Sequence, residues 1–193
     1  MKIGGMIAYI CAEDFWRGLS KTEQDAIRRW EKKVGGNPKN IDQGKITWCN
    51  QTKDSYFGVR AEWVISEKLY AFAEKMLLYA EENISTALQY HFTCNSFIKL
   101  YYKQRDTRPG ALEKTKEYCL KDIKQYPMYT KALHKDGKAQ CPAFKQLCII
   151  YEKEKNYTAA IEICKKAINY ELHDGTKATF TGRLEKLQAK ENV

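Results

Sequence analysis

The stretch CPAFKQLCIIYEKEKNYTAAIEICKKAINYEL, residues 141–172, reads as two helices folded back on one another. Pro142 stands where a helix opens, because a first turn leaves its N–H unpaired anyway and the ring presets a helical φ. That helix is expected to reach about Lys155, and after Asn156 a partner helix runs to about Asn169. Phe144, Leu147, Cys148 and Tyr151 recur at helical spacing on the first, and Ala160, Cys164 and Ala167 on the second. Small residues on one of two crossing helices let the backbones approach, so the pattern has a packing cause as well as a period.

This segment resembles a tetratricopeptide repeat, a helical hairpin of about 34 residues that sets large side chains of helix A against small ones of helix B. Phe144 and Leu147 stand at the large positions of helix A, Cys148 at a small one and Tyr151 at the aromatic one. Tyr157 closes the turn, and Ala160, Cys164 and Ala167 line helix B. The match departs at Cys164, where an aromatic is usual, and at Leu172, where a terminating proline is common. Residues 94–127 look like a degenerate second copy, with Cys94, Phe97, Ile98 and Tyr101 on helix A and Ala111, Leu112, Thr115 and Cys119 on helix B. Tyr118 fills a position there that is usually small. The equivalent tyrosines, Tyr101 and Tyr151, lie 50 residues apart, so the second helix of the earlier copy is expected to be long and followed by a connector. The resemblance implies an all-α array of stacked antiparallel hairpins in a right-handed superhelix. Taken whole, the chain is similar to small uncharacterised repeat proteins of bacteria and their mobile elements, a likeness that assigns no activity.

Outward from this core, a last helix at about 179–190 presents Phe180, Leu184 and Leu187 on one face and is expected to cap the array. His173-Asp174-Gly175 reads as the turn before it. Toward the N-terminus, a helix is expected from Thr86 to Gln104, and Arg108-Pro109-Gly110 breaks the chain. The next helix, about 110–125, is expected to end before Tyr126-Pro127, with a polar stretch over 130–140. One amphipathic helix is expected from about Ala61 to Glu82, on a stripe of Ile65, Leu69, Phe72, Ala73, Met76, Leu77 and Ala80. Ser20-Lys21-Thr22-Glu23 is a capping box that opens a helix to about Lys33, stopped by Val34-Gly35-Gly36. Between 39 and 58 only Ile46 and Trp48 suggest a short extended piece. The expected organisation is therefore an N-terminal helix and irregular segment over 1–60 and the array over 61–193.

Apolar residues make up 44% of the 193-residue chain and charged residues 30%, an ordinary globular balance. The net charge of +9 is unevenly spread: residues 91–140 hold 11 Lys/Arg against 5 Asp/Glu, whereas residues 1–90 hold 13 against 12. Such a local excess favours an anionic partner. Seven cysteines, odd in number and without a Cys-x-x-Cys pair, suit a reduced cytoplasmic protein. Cys and His ligands are not clustered at short spacing, so neither a metal nor any other cofactor is expected. The apolar start, residues 1–11, is read as a buried first segment in preference to a signal peptide, and no run reaches membrane-spanning length.

For function, the resemblance implies a concave groove lined by the helices A. Helix A of the first copy points Phe92, Asn95, Lys99, Tyr102 and Lys103 away from the core, and that of the second points Lys145, Ile149 and Lys153 likewise. The candidate binding set is Asn95, Lys99, Tyr102, Lys103, Lys145 and Ile149. Ammonium groups and an amide hold a carboxylate or phosphate, and Tyr102 can cover a ring or aliphatic chain. The expected partner is a peptide or protein; the alternative is a small anionic ligand such as a nucleotide or signalling metabolite. Nucleic acid is disfavoured, because Glu113, Glu117 and Asp122 interrupt the lysines. No catalytic motif is present, and His91, His134 and His173 are dispersed, so no catalytic role is expected.

Overall fold

The computed structural model describes residues 2–132 and 140–192, and among them it holds eleven α-helices and no strand. The chain is all-α. It divides into two compact units, Met1–Gln89 and Tyr90–Val193. The boundary expected near residue 60 falls inside a helix.

The first unit holds α1 (Gly5–Tyr9), α2 (Glu13–Arg17), α3 (Lys21–Lys33), α4 (Lys39–Asp42), α5 (Lys53–Ser66) and α6 (Tyr70–Glu82). Ile7, Ile10 and Ala12 are buried, so the apolar start packs as a core segment. The capping box forms as read: Glu23 N–H donates to Ser20 Oγ (3.2 Å), and Ser20 N–H to Glu23 Oε2 (2.7 Å). Gly35, at φ +85°, takes the left-handed turn that ends α3. The short extended piece expected at Ile46 and Trp48 does not form a strand, and Trp48 is 78% exposed.

The single helix expected over 61–82 is two. α5 ends at Ser66 and α6 begins at Tyr70, with Lys68 at φ +62° and Leu69 N–H reaching back to the Val64 carbonyl (3.2 Å). Neither glycine nor proline marks this break, and it puts a lysine in a conformation that L-residues take at some cost. Folding back packs α6 closely on α5 and buries Ala61, Val64 and Ile65 with Ala73, Met76, Leu77 and Ala80. Leu69, counted on the stripe, is exposed instead. Asp54 anchors the front of α5: buried, it accepts from Ser55 N–H (2.9 Å), Ser85 N–H (2.7 Å), Ser85 Oγ (2.8 Å) and the Thr52 hydroxyl. Burial alone would raise its pKa, but these donors outweigh that and hold it below the ordinary carboxylate value.

The second unit takes most of α7 (Ala87–Lys103) and all of α8 (Ala111–Ala132), α9 (Pro142–Lys153), α10 (Tyr157–Asn169) and α11 (Thr179–Glu191). α8 does not end before Tyr126; it continues to Ala132, with Pro127 inside it. An interior proline costs a helix about 3 kcal/mol, and tertiary packing opposes that cost here. Tyr126 and Tyr129, on either side of the proline, are both buried, and Tyr126 meets Phe144 of α9 edge-on at 5.9 Å. Much of the polar stretch expected at 130–140, with His134, lies outside the described residues. α9 and α10 occupy the spans read from the sequence. α11 packs on α10, burying Phe180 and Leu187, while Leu184 is half-buried.

Candidate functional site

The register read along α7 and α9 holds except at Tyr151, which is half-buried. On α7, Cys94, Phe97, Ile98 and Tyr101 are buried, whereas Phe92, Lys99 and Lys103 are exposed and Asn95 and Tyr102 half-buried. On α9, Ala143, Phe144, Leu147 and Cys148 are buried, Lys145 and Ile149 half-buried and Lys153 exposed. The six candidate residues have different neighbours. Tyr102 carries the Arg105 guanidinium over its ring at 4.4 Å. Lys145 Nζ donates to the main-chain carbonyl of Asp174 at 2.8 Å. Asn95 turns to His91, its Nδ2 lying 3.0 Å from Nε2. Lys145 and Asn95 are therefore partly committed within the fold.

The Asp174 turn is a small polar staple beside α9 and α11. Asp174 accepts from Thr176 N–H (2.9 Å) and Thr176 Oγ1 (2.7 Å), and Arg183 links it weakly (3.5 Å) to Glu152 (3.4 Å). Burial opposes ionisation of Asp174, but the Thr176 donors, Arg183 and Lys145 outweigh it and lower its pKa. A cleft of about 450 Å³ opens here between Glu152, Asp174, Lys177, Arg183 and Lys186.

The two hairpins of this unit are filled differently. α9 and α10 cross on small groups: Cys148 Sγ lies 3.4 Å from Cys164 Sγ and donates to the Ala160 carbonyl at 3.6 Å, and Ala160 and Ala167 are fully buried. The bond to Cys164, with burial, pushes the Cys148 thiol up. Between α7 and α8, aromatic rings take that place. Phe97 stacks on Tyr118 at 4.1 Å, and Tyr101 lies 5.8 Å from Phe97 and 5.9 Å from Tyr118. Tyr118 at a small-residue position is thus accommodated by stacking.

Beyond those rings lies a buried polar cluster. His91 of α7 pairs Nδ1 with Asp122 Oδ1 of α8 at 2.7 Å, and Cys141, the residue before α9, donates Sγ–H to Asp122 Oδ2 at 3.4 Å. All three are buried, and one ligand atom from each lies within 4.8 Å of the others. The Asn95 amide nitrogen lies against the His91 ring, 3.0 Å from Nε2 and 3.4 Å from Nδ1. Tyr129 stacks on His91 at 4.3 Å, and its hydroxyl is fully buried beside the Cys141 sulfur. Burial, then the Asp122 charge, push both the Cys141 and Cys119 thiols up. Cys141 is therefore a thiol beside a carboxylate and not a thiolate activated by an imidazole, the opposite of what a nucleophile needs. A metal ion, by contrast, takes imidazole, carboxylate and thiolate ligands together.

The sequence reading noticed His91 and Cys141 only as scattered residues and Asp122 only as an acid among lysines. A faint signal existed. His91 and Asn95 sit one turn apart, and Asp122 shares the buried face of α8 with Thr115, Cys119 and Tyr126, a place where a carboxylate needs a partner.

No protein-family model matches the chain, and no solved structure matches it. An uncharacterised protein of Aquifex aeolicus (strain VF5) is 28% identical over 154 residues, covering 76% of this chain and 73% of that protein. No described helix is long and apolar enough to cross a membrane.

Proposed function

We propose that the chain is a non-catalytic binding protein, an adaptor whose second unit stacks its hairpins in the tetratricopeptide manner and offers the outward faces of α7 and α9 to a peptide or protein. The observation that carries this is the partition along those helices. The residues assigned inward are buried except Tyr151, which is half-buried, and every residue assigned outward keeps solvent contact. The outward set mixes lysines with apolar surface: Phe92 is 51% exposed and Ile149 half-buried. An acidic peptide with an apolar side chain suits such a face better than a lone small anion does. Lys145, which a nucleotide would want, already donates to Asp174.

Selection of displayed peptides against the full chain tests this. The expected winners carry Asp or Glu beside an apolar residue, and they compete with one another for one site. A nucleotide or other metabolite retained through native mass spectrometry would favour the small-ligand alternative. Failure of every peptide, with such a ligand present, would overturn the adaptor reading.

A further inference from the structure

We infer that His91, Asp122 and Cys141 form a structural site for a transition-metal dication of the zinc type, tying α7, α8 and the start of α9 together. The inference stands independently of the binding face proposed above. Three observations converge. The ligand atoms come from three separate elements and lie within 4.8 Å of one another, and all three side chains are shielded from water. Their chemistry is mixed nitrogen, oxygen and sulfur, which suits zinc and not the all-oxygen shells of magnesium or calcium. The Tyr129 hydroxyl, wholly buried beside the Cys141 sulfur, places a further oxygen at the edge of the cluster.

The geometry is close to what an ion requires. Metal–ligand bonds of about 2.0–2.3 Å in a tetrahedron separate neighbouring ligands by about 3.3–3.7 Å. Cys141 Sγ and Asp122 Oδ2 are already 3.4 Å apart. His91 Nδ1 and Asp122 Oδ1, at 2.7 Å, must open by roughly 0.6 Å or more. On binding, the ion takes Nδ1 while the ring keeps its one proton on Nε2, and the Sγ proton leaves to solvent. A carboxylate and a thiolate then balance the dication, which makes burial of the whole assembly tolerable. Asn95, whose amide lies against the ring 3.0 Å from Nε2 and 3.4 Å from Nδ1, is the outer neighbour that holds the imidazole in place. Tyr129 Oη or a water completes the shell. A site enclosed in this way holds structure and leaves no open position for substrate.

Cobalt(II) and zinc(II), added to the purified full chain, test the inference. One equivalent of cobalt is expected to give a sulfur-to-cobalt charge-transfer band, and zinc to displace it. Cys141→Ser should lose the band and bind zinc more than about 100-fold more weakly, beyond the 10–100-fold expected for Asn95→Ala. Cys11→Ser and Cys49→Ser, at the more accessible thiols, should keep the band. Zinc should raise the unfolding temperature of the parent over a chelator-treated sample. His91→Gln, with helicity checked by circular dichroism, should lose both the band and that rise if Cys141→Ser fails to fold. No band and no zinc-dependent rise in the parent, or a band that survives Cys141→Ser and vanishes with Cys11→Ser or Cys49→Ser, would overturn the site and leave a self-contained hydrogen-bond network.

Discussion

The hairpins α7–α8 and α9–α10 solve one packing problem in opposite ways. α9–α10 brings its helices together on thiols and alanines, with Cys148 against Cys164 and Ala160, and its buried carboxylate, Asp174, sits in the turn after α10 and not between the two helices. α7–α8 fills the same space with Phe97, Tyr101 and Tyr118 and buries a histidine, an aspartate and a neighbouring thiol beyond them. A small-residue crossing cannot admit a larger side chain, so its sequence pattern is strict and readable. An aromatic filling tolerates many arrangements, so its pattern is loose, and only folding shows what it encloses.

The largest effect that separates the two comes from emptying the first hairpin. Tyr118→Ala removes a ring stacked at 4.1 Å on Phe97 and should cost about 3–5 kcal/mol in denaturant unfolding. A loss under about 1 kcal/mol would mean that the rings do not fill a shared core. The complementary change overfills the second hairpin. Ala160→Leu should cost about 1–3 kcal/mol, and a variant that melts with the parent would break the contrast. Pro127→Ala restores a backbone donor inside α8 and should stabilise the chain by about 1–3 kcal/mol, read as a higher denaturant midpoint.

The smallest effect concerns the polar staple. The pKa of Asp174 in the fold lies below the ordinary aspartate value of 3.8, so its contribution is complete above that value and is lost as pH falls through the folded value. Asp174→Asn should therefore be less stable than the parent near neutrality, with the gap closing in acid. A gap independent of pH would show that the carboxylate does no more than fill space.

What the sequence made legible follows the same division. The capping box at Ser20, the turn at Gly35, the bounds of α9 and α10 and the inward faces of α7 and α9 were all readable, because each rests on local chemistry. The break at Lys68 and the continuation of α8 through Pro127 were not. In the first a lysine takes the left-handed turn, and in the second buried Tyr126 and Tyr129 oppose the cost of proline. Of the six candidate residues, Lys99, Lys103, Tyr102 and Ile149 lie as read along their helices. Lys145 and Asn95 also keep the faces read for them; His91 stands one turn before Asn95 on α7, whereas Asp174 O reaches Lys145 from a turn that no helical period links to α9. Asp122 left only the faint signal of an acid on the buried face of α8, and its partners lie on other elements.

The claim that the outward face of α7 binds the partner is tested most directly by the affinity of a selected acidic peptide for the parent and for the Lys99→Gln/Lys103→Gln double variant. The two lysines are exposed, so folding should be unchanged by circular dichroism and thermal unfolding. The account predicts binding weakened by at least about tenfold, or about 1.4 kcal/mol, with the loss shrinking as salt rises. Equal affinity for both proteins at low salt would contradict it and move the binding surface off this helix.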